Sequence, residues 1–192
     1  MTAPQLATNA IAFKEWAVVC EALARGRQTL ILRKGGIHEG RTGFRVSHQE
    51  FWLLPTHFHA GADALTPEAA DLFAPAAEHY RENQFHIAHY AVVCEVLELT
   101  SEADALALEG LHLWSTATVR ERFHYKRPGL FALIVRIFTA PQATAIDDTP
   151  SIAGCRSWVE LPAPLATTAL TPALDDASFA EQVAAINQRL TT

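Results

Sequence analysis

Two short apolar runs in the first third of the chain each stop abruptly at a cluster of polar residues. Leu30–Leu32 is followed by Arg33-Lys34-Gly35-Gly36, and Phe51–Leu54 is followed by Pro55-Thr56-His57-Phe58-His59. Short, bounded apolar runs are typical of strands, and the ends of strands hold polar groups beside a rigid core. The segment therefore predicts two strands that deliver cations, glycines and imidazoles to their ends.

The rest of the chain mixes strand and helix patterns without a regular alternation. Strands are predicted at Gln28–Arg33, Phe44–Val46, Phe51–Leu54, Phe85–Leu99, Leu130–Phe138 and Ser157–Leu161. The second and third of these are expected to form a hairpin around residues 47–49. Helices are predicted at Phe13–Ala24 with Gly26 as terminator, from Thr66 towards Tyr80, from Ser101, at Thr118–Phe123 and from Ser178 to Leu190. This order favours an α+β fold, with a mixed or barrel-like sheet flanked by helices, over a doubly wound sheet.

A chain of 192 residues that is 49% hydrophobic can bury one sizeable core. We expect a single α+β domain over residues 1–161, followed over 162–192 by a linker and a C-terminal amphipathic helix that packs on it. No apolar run approaches the roughly 20 residues needed to cross a bilayer, and residues 1–10 lack the features of a signal peptide. A cytoplasmic protein without a membrane partner is the simplest expectation.

The net charge of −6 argues against broad, non-specific attraction to nucleic acid, which depends on neutralising phosphates. The charge is unevenly distributed, however. Residues 25–45 carry six cations and one acid, Glu39, whereas residues 95–109 carry five acids and no cation. Two interpretations remain open: a local basic surface that selects an anionic partner, or a set of solvated strand ends and loops.

His57 and His59 are two residues apart, so on a strand their side chains point to the same side. The pair can bind a divalent metal ion if a third ligand, such as Glu39, His48 or His86, lies nearby. In a chain with nine histidines such a pair also arises by chance, and hydrogen-bonded or surface histidines are the simpler interpretation. The two histidines are therefore weak metal candidates, and no cofactor is predicted.

Two basic segments suit phosphate binding. Arg33-Lys34-Gly35-Gly36 lacks the length and the final Lys-Ser/Thr of a P-loop, but its glycines can form an anion-binding nest of backbone N–H groups beside two cations. Residues 120–127 interleave four cations with aromatic side chains, which suits phosphate binding together with base stacking. The alternatives are a tight turn with exposed cations and an amphipathic helix with Phe123 buried and its arginines in water.

Nuclease and thiol chemistry find little support in the sequence. An acid two positions before a lysine, the motif of common restriction-type nucleases, is absent at all three lysines, which are Lys14, Lys34 and Lys126. Cys20 and Cys94 lie in apolar runs and are predicted to be core residues. Cys155 is the one cysteine next to a cation, but no partner histidine can be assigned to it.

Four segments together carry a resemblance to a known family. They are Phe13–Trp16, Leu32–Ile37 with Glu39, Phe51–Thr56 with His59, and Gly154–Val159. Over roughly residues 12–161, a domain-sized span, the chain resembles the bacterial domain-of-unknown-function family 1802. The family has no established activity, but some members are joined to a restriction-endonuclease-like domain, which implies an accessory role in DNA restriction or processing. The order of elements is also similar to PUA-like modules, small barrels that bind modified or structured nucleic acid.

The first hypothesis is a non-enzymatic module that binds nucleic acid or another phosphate-bearing ligand. Its candidate binding residues are Arg33, Lys34, Gly35, Gly36, Glu39, His59, Lys126, Arg127 and Trp158. A second hypothesis is a metal-dependent hydrolase that uses His57, His59 and an acid such as Glu39. A third is a non-catalytic domain that binds a partner protein, in which the glycine pair only shapes a turn.

Overall fold

The computed structural model describes residues 3–34, 47–56, 62–154 and 156–191, together with the backbone of residues 39–40 and 43–44. These residues form ten strands and five α-helices. The strands are β1 (Thr8–Trp16), β2 (Leu30–Arg33), β3 (Glu39–Gly40), β4 (Gly43–Phe44), β5 (Glu50–Thr56), β6 (Tyr80–Arg81), β7 (Gln84–Leu99), β8 (Leu130–Asp147), β9 (Trp158–Ala166) and β10 (Thr171–Pro172). The helices are α1 (Ala17–Ala24), α2 (Phe73–Ala77), α3 (Glu102–Ala107), α4 (Thr116–His124) and α5 (Asp176–Thr191).

Eight of these strands form one mixed sheet whose main path runs β10-β8-β7-β5-β1-β9. β2 and β10 pair with different stretches of β8 at its outer edge, and β6 pairs with β7. β1 and β5 run parallel, whereas the other described pairs are antiparallel. β3 and β4 pair with each other in a separate two-stranded sheet. The long strands β7 and β8, of 16 and 18 residues, form the centre of the sheet.

Alternating side chains give the sheet two apolar faces. Successive residues on a strand point to opposite sides, so Phe13 and Leu53 join one buried cluster while Ala12 and Trp52 join another. The larger cluster lies under the helices and takes in most of α1. Because both faces are covered, the run Leu130–Phe138 is apolar except for Arg136, which is itself buried. The predicted buried strand is confirmed there, and it continues to Asp147.

The sheet curves until its far edge approaches β1. Along the hydrogen-bonded path, β2 is separated from β1 by β8, β7 and β5. The Arg33 side chain at the end of β2 nevertheless reaches Glu15 on β1, with 3.4 Å between Nη1 and Oε2. The sheet is open, but it curls around its larger apolar cluster. Of the predicted mixed or barrel-like sheet, the mixed sheet with flanking helices is confirmed as an α+β fold, and the PUA-like assignment stays a prediction.

Helices α3 and α4 begin at serine side chains that bind free backbone N–H groups, as capping requires. Ser101 accepts a hydrogen bond from the Asp104 amide (3.0 Å), which confirms the predicted start of α3. The predicted start of α4 at Thr118 was wrong, because Ser115 caps the helix and accepts from the Thr118 amide. α5 packs on the larger cluster through Ile186, which is buried. None of the described helices is long and apolar enough to span a membrane.

Two predicted elements near the N-terminus were wrong. The helix predicted at Phe13–Ala24 begins only at Ala17, because residues 13–16 pair with β5 from Phe13 opposite Leu53 to Trp16 opposite Thr56. The hairpin predicted between Phe44–Val46 and Phe51–Leu54 is absent from the described residues, in which β5 pairs with β1 and β7 while β4 pairs with β3. Residues 45–46 lie outside the described part of the chain. Tertiary pairing, which local periodicity does not report, decides both segments.

Two further elements have different bounds from those predicted, and one strand was not predicted. The segment after Thr66 forms a 3₁₀ turn at Pro67–Leu72 and then α2, which ends at Ala77, short of Tyr80. The last long strand, β9, runs on to Ala166, past residue 161, and β10 then pairs with β8. Strand pairing therefore continues into the segment in which a linker was predicted.

Gly26 ends α1 as predicted, and its backbone requires glycine. Its φ is +66°, in the left-handed region, and a Cβ there would lie 2.4 Å from Leu174 Cδ2. Its carbonyl accepts a hydrogen bond from Gln182 of α5 (2.6 Å). We expect Gly26→Ala to lower the free energy of unfolding by about 2 kcal/mol, since a left-handed residue with a side chain costs roughly 1–2 kcal/mol before any clash. Urea unfolding measures this loss.

Gly110 provides the matched control for this substitution. Its φ is +82°, but an added Cβ would have no heavy atom within 4 Å. Gly110→Ala therefore carries the backbone cost without the steric one and should destabilise less than Gly26→Ala. Equal losses in the two variants would show that the contact with Leu174 contributes nothing.

Candidate ligand-binding site at the strand ends

Contacts across the curled sheet bring the ends of β1, β2, β5 and β9 together. The C-terminal ends of β1 and β5 lie side by side, with Trp16 opposite Thr56, and the N-terminal end of β9 pairs with β1 at Phe13. Arg33, at the C-terminal end of β2, reaches the Glu15 carboxylate, and the Thr56 hydroxyl donates to the Glu15 carbonyl (3.1 Å). The described ends of β2 and β5 therefore both contact Glu15.

Arg33 and Glu15 form an ion pair inside this region. The two side chains are 17% and 1% exposed. Arg33 also donates to the Lys14 carbonyl (3.2 Å) and lies over the Phe13 ring, 4.3 Å from its centroid. Glu15 accepts a further hydrogen bond from the Trp16 amide (2.8 Å). Arg33 was predicted to hold phosphate, but its Nη1 and Nη2 atoms bind Glu15 and the Lys14 carbonyl, and its position ties β2 to β1. Its buried Nε has no hydrogen-bond partner among the described residues.

Lys34 joins the end of β2 to the turn that follows α4. Its ammonium donates to the carbonyls of Phe123 (2.6 Å), Gly129 (2.8 Å) and Arg127. An ammonium has three N–H donors, so these three carbonyls use all of them. Burial and the nearby Arg127 charge lower the pKa of Lys34. The predicted phosphate ligand thus has a structural role, stabilising the carbonyls at the end of α4.

Arg122 lies between two tryptophans. Its guanidinium carbon is 3.6 Å from the Trp114 ring centroid and 5.0 Å from that of Trp16, and the two indoles meet edge to face at 4.2 Å. Burial lowers the pKa of Arg122, which the charge of Glu15 opposes. Among the described residues, no hydrogen-bond acceptor contacts its guanidinium. The two indole rings hold the Arg122 guanidinium in place by cation–π contacts, and its N–H donors remain for another partner.

Trp158 contacts the ring of Phe13, the same ring over which Arg33 lies. Its ring contacts those of Phe13 (4.6 Å), Phe51 (4.9 Å) and His48 (5.0 Å). Burial lowers the pKa of His48. The indole nitrogen of Trp158 is buried and has no hydrogen-bond partner in the described parts of the chain. Trp158 is therefore mainly a packing residue at this end of the sheet.

An exposed aromatic residue and two cations follow α4. Tyr125 is 58% exposed, and the Lys126 ammonium lies 5.3 Å from its ring centroid. Lys126 has a φ of +61°, and the Arg127 amide donates to the Tyr125 carbonyl (2.8 Å), which makes a tight turn. We call Arg122, Tyr125, Lys126 and Arg127 the strand-end surface. It combines an exposed π face with positive charge in a protein that is acidic as a whole.

The structure connects the predicted residues that it describes. Arg33 and Trp158 both contact Phe13, and Lys34 binds the turn that carries Lys126 and Arg127. Four predicted residues lie outside the described part of the chain: Gly35, Gly36, His57 and His59. Glu39 is described only in its backbone, as part of β3. The glycine nest and the predicted histidine pair therefore stay predictions.

Sequence reasoning missed Glu15, Trp16 and Trp114 as parts of this region. Glu15 and Trp16 were assigned to a helix. The signal that could have identified Glu15 was its charge inside an apolar segment, because a charged side chain requires a partner when it is buried. For Trp114 the signal was its rarity, since the chain has four tryptophans. The contacts of Trp16 and Trp114 with Arg122 join β1 to α4, a pairing that no short motif encodes.

The described cysteines offer no reactive thiol in this region. Cys20 is buried, as predicted, and burial followed by the charges of Glu15 and Glu21 raises the pKa of its thiol. A raised pKa disfavours the nucleophilic thiolate. The prediction that Cys94 is a core residue was wrong: it is exposed, beside a bulge in β7 between Val93 and Glu95. Cys155 lies outside the described residues.

Three crystal structures of the ASCH protein from Zymomonas mobilis are similar to this chain. The structure of the unmutated protein has 12% sequence identity, covers 91% of this chain and 92% of that one, and has a TM-score of 0.42. The other two structures are of single-substitution mutants. The mutants have 13% and 11% identity, cover 91% of this chain and 94% and 96% of theirs, and have TM-scores of 0.43 and 0.45. TM-scores below 0.5 do not establish a shared fold.

No curated protein matches the sequence significantly. The model of a family described as a domain of unknown function, DUF1802, matches residues 12–185. This match includes the four resembling segments and extends through β9 and most of α5, beyond the span expected from those segments. The chain belongs to the DUF1802 family.

Proposed function

We propose that the protein binds single-stranded nucleic acid at the strand-end surface. The observation that carries the proposal is the exposed Tyr125 ring beside Lys126 and Arg127, next to an arginine whose guanidinium is held between two indoles. Proteins that bind single strands combine aromatic side chains, on which bases stack, with cations that follow the phosphates. Both features occur here on one short segment.

Each residue of the surface has a distinct role in this proposal. Tyr125 stacks on a base through its exposed face. Arg122 donates to a phosphate, because its guanidinium is already oriented by Trp114 and Trp16 and loses little freedom on binding. Lys126 and Arg127 contribute positive charge at the turn. Lys34 and Arg33 act indirectly, since they fix the turn and the strand ends against each other.

Neighbouring charges limit the surface to these residues. Arg120 is on the same helix, but it binds Glu102 (3.1 Å), which also binds His124. That acidic residue neutralises the outer side of α4. Positive charge is therefore concentrated at the C-terminal end of α4, where the Phe123 carbonyl accepts a hydrogen bond from Lys34.

Fluorescence anisotropy with a labelled single-stranded RNA, and with DNA of the same sequence, tests the proposal at low salt. We expect Tyr125→Ala to weaken binding about tenfold, because base stacking on an aromatic side chain contributes ~1–3 kcal/mol. We expect Lys126→Gln plus Arg127→Gln to weaken binding and to reduce the slope of log K against log salt by ~0.7 for each phosphate that the variant no longer neutralises.

Arg81→Gln is the matched control. Arg81 is an exposed arginine paired with Glu78, and it lies next to Gln84, at the opposite end of β7 from the strand-end surface. Its replacement should leave binding unchanged. Wild-type protein that binds neither RNA nor DNA at low salt, or an equal loss in Arg81→Gln and Tyr125→Ala, would contradict the proposal.

The comparison between RNA and DNA binding also tests a more specific role for the protein. An accessory function in DNA restriction or processing, which the family resemblance implies, requires that DNA binds at least as tightly as RNA. A clear preference for RNA would leave the binding proposal intact and remove the role in restriction.

A further inference from the structure

Three potential metal ligands from separate parts of the chain meet away from the strand-end surface. Glu21 comes from α1, His79 from the turn before β6, and His89 from β7. One ligand atom from each lies within 4.8 Å of the others. Among the described residues, no other such group of three histidines, cysteines or acids occurs.

We propose that Glu21, His79 and His89 form a binding site for a divalent transition-metal ion such as Zn²⁺. Two imidazoles and one carboxylate are a ligand set that zinc takes in proteins, with bonds of about 2.0–2.2 Å and a fourth position left for water or a ligand. Atoms arranged tetrahedrally at such distances lie about 3.3 Å apart. The present separation of 2.9 Å between Glu21 Oε2 and His79 Nε2 needs only a small opening.

The surroundings orient these side chains as the groups behind metal ligands do. Arg25 binds the other carboxylate oxygen of Glu21 (2.7 Å), which leaves Oε2 facing His79. The Nδ1 atom of His89 lies 3.3 Å from the Thr139 hydroxyl on β8. A hydrogen bond at one nitrogen fixes the orientation of an imidazole and selects its other nitrogen for a metal. The rings of His79 and His89 meet edge to face at 5.6 Å.

Sequence spacing gave no sign of this site. From β7, only His86 was considered, as a third ligand for His57 and His59. His89 follows a register shift in β7 between Ile87 and His89. His79 and Glu21 then come from elements that are distant in sequence. The proposed site shares no residue with the predicted one.

Isothermal titration of tag-free protein with Zn²⁺ tests the inference. We expect one saturable site in the wild-type protein and a loss of more than about 100-fold in affinity for both His79→Gln and His89→Gln, since even the partners behind metal ligands are worth 10–100-fold. His86→Gln on the same strand and His57→Gln plus His59→Gln are the controls, and both should retain the wild-type affinity.

Three results would overturn the inference. They are the absence of saturable Zn²⁺ binding to the wild-type protein, unchanged binding in both His79→Gln and His89→Gln, and loss of binding in the His57→Gln plus His59→Gln variant. Circular dichroism shows whether each variant is folded. If a ligand variant is not, the ring ¹⁵N resonances of the nine histidines in the wild-type protein decide the question. Two of these rings should shift on Zn²⁺ addition, and shifts confined to other histidines would refute the site.

Discussion

Arg33→Met is expected to lower the free energy of unfolding by roughly 3–5 kcal/mol, the usual loss when one partner of a buried ion pair is removed. The substitution leaves the Glu15 carboxylate, which is 1% exposed, without its cation. It also removes the hydrogen bond to the Lys14 carbonyl and the contact with the Phe13 ring. Because these contacts tie β2 to β1, the loss should appear as a cooperative decrease in stability in urea unfolding.

Two further variants separate the ion pair from other effects. Glu15→Gln combined with Arg33→Met removes the uncompensated charge and should recover part of the loss, which a double-mutant cycle measures. Arg27→Met breaks the pair between Arg27 and Asp71, whose side chains are 38% and 54% exposed. Exposed pairs contribute little, so its effect should be much smaller. Equal losses in Arg33→Met and Arg27→Met would show that burial of the Glu15 pair has no energetic consequence.

Acidification is expected to destabilise the protein through His112 by about 3 kcal/mol between pH 6.5 and pH 4. Burial lowers the pKa of this imidazole to about 4 from its ordinary 6.5, and the charge of Glu109 opposes the change only in part. Each pH unit of such a difference corresponds to about 1.4 kcal/mol. The unfolded chain takes up a proton in this window and the folded protein does not, so stability is complete above pH 6.5 and falls as the pH drops to 4.

The geometry explains why His112 resists protonation. The side chain is 3% exposed, and its Nδ1 accepts a hydrogen bond from the Trp114 amide (3.1 Å), which a protonated nitrogen cannot do. His112→Gln keeps an acceptor for that amide but does not titrate. The difference in unfolding free energy between wild type and His112→Gln should therefore change by about 3 kcal/mol across the window. A difference that stays constant with pH would refute the assignment.

The sequence predicted those parts of the fold that depend on local patterns. The apolar run of β8, the cap at Ser101 and the glycine end of α1 all rest on residues close together in the chain. The errors occurred where distant pairing decides the structure. The apolar residues Phe13 and Trp16 have helical spacing, yet residues 13–16 form a strand because β5 pairs with them. A single sequence carries no direct record of such a neighbour.

The candidate sites also divide into features that local sequence patterns predict and features that depend on distant pairing. Residues 120–127 were identified from their composition, and the exposed turn at Tyr125 and Lys126 lies in that segment. The contacts of Arg122 with Trp16 and Trp114, and the convergence of Glu21 with two histidines, depend on how the sheet curls and where β7 shifts its register. These are properties of the assembled fold, so no motif search could have found them.

The pairing of β1 with β9 has a consequence for how the chain is made. Thr8 lies opposite Ala166 and Phe13 opposite Trp158, so β1 leaves the ribosome long before the strand with which it pairs. Contacts between such distant residues slow folding, because a long loop must close before they form. Until residue 166 emerges, the backbone groups on the side of β1 that later pairs with β9 have no partner, and such an unpaired strand edge favours association with other chains. We therefore expect the nascent protein to depend on chaperones more than its modest size suggests.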